Sequence, residues 1–234
     1  MTDRPIIFSA EMVRALLDGR KTQHREILKP QPDTLPNGFA GLRLPYAVGD
    51  RLWVRESFIT GFDIDDEFGR PVGDRKVWYR ATDRGLTWYD PDTESTLDNP
   101  PWKSSTQMPR WASRLTLIVT DVRVQRLQDI SEADAVADGM QPYKFPGPWW
   151  QGYRDDGDGD LVQQQYVGET PPDWMIEPRR MKDMTHLDRS AVHLFTTLWN
   201  DLHGPDAWDR NDWVAALTFE THRQNIDQME PTND

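Results

Sequence analysis

The sequence predicts an α+β fold built mainly from short strands with a few short flanking helices. Two observations carry this expectation. Apolar and polar residues alternate with period two in several short segments, as half-buried strands require. Between them lie brief runs with apolar residues at helical spacing, closed by capping residues. Residues 5 to 9, Pro-Ile-Ile-Phe-Ser, read as the first strand. Met12, Val13, Leu16 and Leu17 then place apolar side chains on one stripe of a helix over 10 to 18, and Gly19 stands where a helix end favours positive φ. Residues 29 to 48 hold Pro30, Pro32, Pro36, Gly38, Gly41 and Pro45 and read as a loop.

Strands follow near 51 to 59, 76 to 81 and 114 to 125, with a turn-rich excursion at 84 to 107. In the first of these, Leu52, Val54 and Ser57 alternate with Trp53 and Arg55; the third is entered through Met108-Pro109-Arg110-Trp111-Ala112-Ser113-Arg114. Ser131 is placed to cap a short helix, with an acid three residues on and Gly139 as its stop. The segment 141 to 189 carries six prolines, Pro142, Pro146, Pro148, Pro171, Pro172 and Pro178, and a run Asp155-Asp156-Gly157-Asp158-Gly159-Asp160; it reads as a mobile insertion. A helix over 189 to 202 aligns Val192, Phe195, Trp199 and Leu202, and a strand at 213 to 220 closes the sheet. Residues 223 to 234 read as a disordered tail, so one domain is expected over 1 to 222.

Composition narrows the function. The chain has 234 residues, 37% hydrophobic and 28% charged, with net charge −12. An acidic protein is poorly suited to sequence-blind binding of long DNA or RNA, where affinity comes from neutralising phosphates. Arg20, Lys21, Arg25, Arg51, Arg55, Arg110 and Arg114 nevertheless gather in a few motifs, so a local basic pocket is compatible with the acidic whole. No cysteine is present, which excludes a disulfide framework and thiolate zinc. No long apolar run is present either, and the protein is expected to be cytoplasmic and not membrane-bound.

The densest motif is Gly19-Arg20-Lys21-Thr22-Gln23-His24-Arg25, where proton-handling and anion-binding side chains follow a helix stop. Cations near a helix C-terminus also have a plain role, because they favour its negative dipole end. This motif, with Gly49-Asp50-Arg51-Leu52-Trp53-Val54-Arg55-Glu56, Met108 to Arg114, Ala137-Asp138-Gly139 and Trp213 to Phe219, resembles the ASCH domain family. Those are small β-barrels of the PUA-like superfold, and the likeness is strongest to the longer ASCH proteins of phages and prophages. The resemblance covers most of residues 4 to 140 and 190 to 220. It implies a PUA-like barrel with flanking helices.

In ASCH proteins that hydrolyse N4-acylated cytidines, the resemblance implies a catalytic Lys, a Thr three residues later and a Glu near the end of the short helix. Here these positions hold Lys21, His24 and Asp138. Amide hydrolysis needs an attacking oxygen, a base and positive charge or donors for the oxyanion. His24, with an ordinary pKa of about 6.5, can act as base for water, with Asp138 orienting it and Lys21 polarising the acyl carbonyl. Thr22 is the other candidate nucleophile, although adjacent side chains diverge and Lys21 faces His24 more readily. The arginine that the family carries two residues beyond the Thr position is displaced: Glu26 stands there, and Arg25 precedes it.

Arg25, Trp53, Arg55, Glu56 and Trp111 form the candidate substrate-binding set. A nucleobase takes an aromatic or guanidinium plane for stacking and polar groups for its edge. Arg55 and Glu56 point to opposite faces of a regular strand, so one of them shares a face with Trp53. The expected partner is a nucleoside or modified-base small molecule, with RNA as a further candidate and no cofactor. A non-catalytic reader of RNA or modified nucleotides, and a metal-independent ribonuclease using His24 and Lys21, stand beside the hydrolase. Asp156, Asp158 and Asp160 share the alternate-carboxylate spacing of a calcium loop but lack its Gly and its distal Glu, and a solvated acidic loop is the expectation. His186, His193 and His203 form no recognisable ligand set, and no catalytic metal is expected.

Overall fold

A computed structural model describes residues 2–32, 44–64, 71–83, 85–86, 88–90, 95–97, 100–144, 149–158, 160–167, 170–180 and 189–229. Much of the proline-rich loop, His186 and residues 230–234 lie outside them. The fold is mixed α+β and dominated by sheet. The chain divides into two compact units, Met1–Gly139 with Asp206–Asp234, and Met140–Pro205. The expected insertion and the helix after it both fall in the second unit.

The first unit is organised by a five-stranded sheet in the order β1(Asp3–Ile7), β3(Arg51–Arg55), β8(Thr116–Arg126), β12(Trp213–His222), β2(Gln23–Ile27). β1 runs parallel to β3, with Asp3 opposite Arg51; every other neighbour in this sheet is antiparallel. Alternation sets the register, since Leu52 sits opposite Leu117 and both are fully buried. Val54, Val119, Leu217 and Phe219 join them in one core, onto which α1(Ala10–Leu17) delivers Val13 and Leu16. Each such side chain contributes about 1.5–3 kcal/mol by leaving water. Among the described residues no pairing joins the edge strands β1 and β2, so a closed barrel is not seen. The sheet does curl: Phe8, one residue past β1, meets the ring of His24 on β2 edge to face at 5.1 Å.

Several sequence expectations shift. Ser9 is the N-cap of α1 and not strand, because its side chain accepts the Met12 N–H. The strand read over 51 to 59 breaks after Arg55 and resumes as β4(Phe58–Ile64), which pairs with β5(Pro71–Tyr79). Residues 105 to 112 form two 3-10 turns, so β8 begins only at Thr116. Asn225 explains part of this, since its Nδ2 donates to the carbonyls of Arg110, Trp111 and Ser113 at 2.9, 3.2 and 2.7 Å. Those carbonyls are thereby withdrawn from strand pairing. The tail is likewise ordered through Met229: Ile226 is 1% exposed, and Thr116 Oγ1 donates to the Gln224 carbonyl at 2.9 Å. A single apolar residue among polar neighbours gave too little pattern to reveal this.

A small antiparallel pair joins β6(Trp88–Asp90) to β7(Ser95–Leu97). The short helix is α2(Glu132–Ala137), capped by Ser131 as expected. In the second unit the segment read as a mobile insertion holds an antiparallel sheet, β9(Trp149–Asp155) flanked by β10(Leu161–Val167) and β11(Ile176–Arg180). Its acidic run is the β9–β10 turn, where Asp156 Oδ1 accepts the N–H groups of Asp158 and Asp160 at 2.9 and 3.2 Å. α3(Ala191–His203) buries Ala191, Phe195 and Trp199, a stripe of i, i+4 and i+8, while Leu202 is 55% exposed. No described helix is long and apolar enough to cross a membrane.

Candidate functional site

Two helix ends build the site. α1 stops at Asp18, and Gly19 takes φ +70°, so the chain turns back and the N–H groups of Arg20 and Lys21 both donate to the Ala15 carbonyl. α2 stops at Asp138, and Gly139 takes φ +104°. A Cβ on Gly139 would stand 3.4 Å from Ala15 Cβ and 3.5 Å from Lys21 Cβ, so glycine permits the close approach as well as the turn. Lys21 and Asp138 then form an isolated antiparallel bridge, and the Thr22 N–H donates to the Ala137 carbonyl at 2.7 Å.

Three charged side chains are enclosed where these ends meet. Lys21 is 0% exposed, Arg25 2% and Asp138 5%. Lys21 Nζ donates to the Gln23 carbonyl at 2.8 Å, to the Asp138 carbonyl at 2.9 Å, and to Asp138 Oδ1. An ammonium has three protons, so these acceptors match its full donor count. Arg25 Nη1 donates to Asp138 Oδ2 at 2.8 Å and Nη2 to Gln23 Oε1 at 3.2 Å. Asp134 lies 3.7 Å from Arg25 and accepts from Arg123 Nη2 at 3.0 Å, extending the network towards the surface.

Electrostatics fix the protonation states. Burial alone would raise the Asp138 pKa, but the charges of Lys21, His24 and Arg25 and the Lys21 hydrogen bond outweigh it, and the carboxyl sits below its ordinary range. Asp134 also pays some desolvation, yet hydrogen bonds from Arg123, Ser131 and Gln23 and the charge of Arg25 hold it down to about 2. The cluster is therefore an ionised carboxylate between two cations.

His24 and Lys21 do share a neighbour, the Phe8 ring, which lies 5.4 Å from Lys21 Nζ and 5.1 Å from the His24 ring centroid. Asp138 has its two oxygens engaged by Lys21 and Arg25, so it orients those cations first. Thr22 is exposed and lines a cleft of about 560 Å³ together with Lys21, Gly19, Glu220, His222 and Arg223. His222 Nε2 has no hydrogen-bond partner among the described residues and stands 3.9 Å from Glu220.

Trp53 and Arg55 lie three strand positions away across the sheet, on β3, and Glu56 follows directly after it. Arg55 stands 5.4 Å from the Trp53 ring centroid, as the shared strand face allows, while Nε donates to the Ser105 carbonyl at 3.0 Å. Glu56 faces the other way and is buried against Arg114 in a bidentate pair of 2.8 and 3.0 Å. Burial pushes its pKa up despite the pull of Arg114. Arg114 in turn covers the Tyr79 ring at 3.9 Å, so Glu56 belongs to a structural pair and not to the Trp53 face. Trp111 is 56% exposed on a 3-10 turn.

Sequence reasoning missed Phe8, Gln23 and Arg123. Phe8 reads as an ordinary core residue, and Gln23 carries its main contact through a backbone carbonyl, which no side-chain motif announces. Among the described residues no group of three or more His, Asp or Glu is arranged to hold a metal ion. No protein-family model, curated protein or solved structure matches the chain.

Proposed function

We propose that the protein is a cytoplasmic ASCH-type protein with a PUA-like barrel, whose pocket takes a pyrimidine nucleoside or modified base and hydrolyses the N4-acyl group of N4-acylcytidines. The observation that carries this reading is the enclosed Lys21–Asp138–Arg25 cluster, at the positions where the family resemblance expects its catalytic Lys and carboxylate. Three charges are costly to bury for stability alone, and a well-packed apolar set of the same volume often does as well. The contact of Phe8 with His24, which curls the end of β1 against β2, supports the barrel.

In the proposed reaction His24 accepts a proton from water as its oxygen attacks the acyl carbon. The developing oxyanion is stabilised by Lys21, which exchanges one of its backbone acceptors for it. Asp138 and Arg25 hold the ammonium in place. Cleavage of the C–N bond returns the proton to N4, releasing cytidine and the carboxylic acid, which then loses its proton to solvent. A second reading, a non-catalytic reader of modified nucleotides, is favoured by one observation: in the resting cluster every Lys21 proton already has an acceptor.

The test is absorbance-monitored hydrolysis of N4-acetylcytidine beside Lys21→Ala and His24→Ala. Turnover lost in both supports the hydrolase. Binding without turnover in a folded protein supports the reader, and cleavage of RNA in a chelator with nucleosides left intact supports a ribonuclease.

A further inference from the structure

At the opposite end of α1 from Lys21 lies a second cleft, of about 600 Å³, which falls in the size range of small-molecule sites. Ser9, Glu11, Arg14, Arg80, Asp83 and Trp102 are among its lining residues. We infer that it binds a nucleoside monophosphate with an exocyclic amine, the ring against Trp102 and the phosphate on Arg80 and the first turn of α1. This site does not rest on hydrolysis at Lys21.

The charges in the cleft are not equivalent. Arg14 is committed, because Nη2 contacts Glu11 at 3.2 Å and Nη1 donates to the Ala81 carbonyl at 3.1 Å. Asp83 is committed as well, accepting the Tyr79 N–H through Oδ2. Arg80 is exposed, and among the described residues its guanidinium has no hydrogen-bond or ion-pair partner. Its backbone is nonetheless fixed, since its N–H donates to the Ser57 carbonyl at 3.0 Å. Among the described residues it is a positioned cation with an open valence, suited to an anion.

Two further groups converge on the same space. Ser9 caps α1 by accepting the Met12 N–H at 3.3 Å, which leaves the Ala10 and Glu11 N–H groups of the first turn without intrahelical acceptors, and both residues line the cleft. Trp102 is half-buried and has no ring partner among the described residues. Its segment is held rigid where Lys103 and Phe58 exchange backbone hydrogen bonds of 2.8 and 3.2 Å. A phosphate alone would leave the indole unused, and a bare ring would leave Arg80 unmatched. A nucleotide uses both, and the Glu11 carboxylate offers an acceptor for an amino group on the base edge.

Isothermal titration calorimetry with 5′-CMP tests this, using cytidine, inorganic phosphate and 5′-UMP as partial probes. 5′-CMP is expected to bind more tightly than each, and Arg80→Glu and Trp102→Leu should each weaken it tenfold or more. Arg80 is exposed, so its variant keeps the fold; a circular dichroism melt checks Trp102→Leu. No binding of 5′-CMP to the full chain overturns the inference. Binding retained in Arg80→Glu but lost in His24→Ala also overturns it, by placing the nucleotide at the Lys21 site.

Discussion

Lys21 Nζ grips both the side chain and the backbone carbonyl of Asp138, a residue 117 positions later, and neither residue is more than 5% exposed. The contact ties the end of α1 to the end of α2 and is the centre of the candidate site in the first unit.

Removing one partner leaves buried charge uncompensated. Asp138→Ala strands two cations, Lys21 and Arg25, and should lower stability by about 3–5 kcal/mol in urea unfolding. Lys21→Met leaves Asp138 still paired with Arg25 and should lower it by less. Equal losses would show that the second ion pair contributes nothing.

Two buried carboxylates should give opposite pH slopes. Asp138 is held below its ordinary 3.8, so its stabilisation is complete above that value and is lost as pH falls further. Glu56 is raised above its ordinary 4.5 by burial, so its contribution is complete below 4.5 and declines as pH rises through its folded pKa. Urea midpoints from about pH 2 to about pH 7 should show a flatter acid limb in Asp138→Asn, and in Glu56→Gln a flatter decline above 4.5.

If His24 is the base, His24→Ala should reduce kcat by about 10²–10⁴-fold and remove the acid limb of the rate profile near its pKa. A purely structural His24, packed on Phe8, would change stability and leave the shape of that profile intact.

The chain after β12 is expected to be part of the fold. Ile226→Ala should destabilise by about 2–5 kcal/mol, and deleting residues from 223 onward should do at least as much, read by thermal melting. An unchanged melt would mean that the segment adds no core.

In the second unit, Gly152 lies within β9 where a Cβ would come 2.8 Å from the Ile176 carbonyl and 2.6 Å from Met175 Cγ. The backbone carbonyl cannot move aside, so Gly152→Ala should loosen β11, seen as faster amide exchange there.

By itself the sequence determined the local elements. Period-two alternation placed β3, β8 and β12, helical spacing placed α1 and α3, and Ser131 with Gly139 bounded α2, because caps and periodicity are written in neighbouring residues. The Gly19 to Arg25 motif and the β3 motif were legible as functional candidates for the same reason. Only the tertiary structure decided which charges are enclosed and with whom. It gave Lys21 and Arg25 to Asp138, gave Glu56 to Arg114, and separated Trp53 and Arg55 from the Lys21 cluster by the strands between β3 and β2. It also set β1 parallel to β3 and drew Asn225 and Ile226 into the first unit. Pairing of strands and ions depends on contacts between residues far apart in the chain, and a linear pattern with a range of a few residues does not encode that proximity.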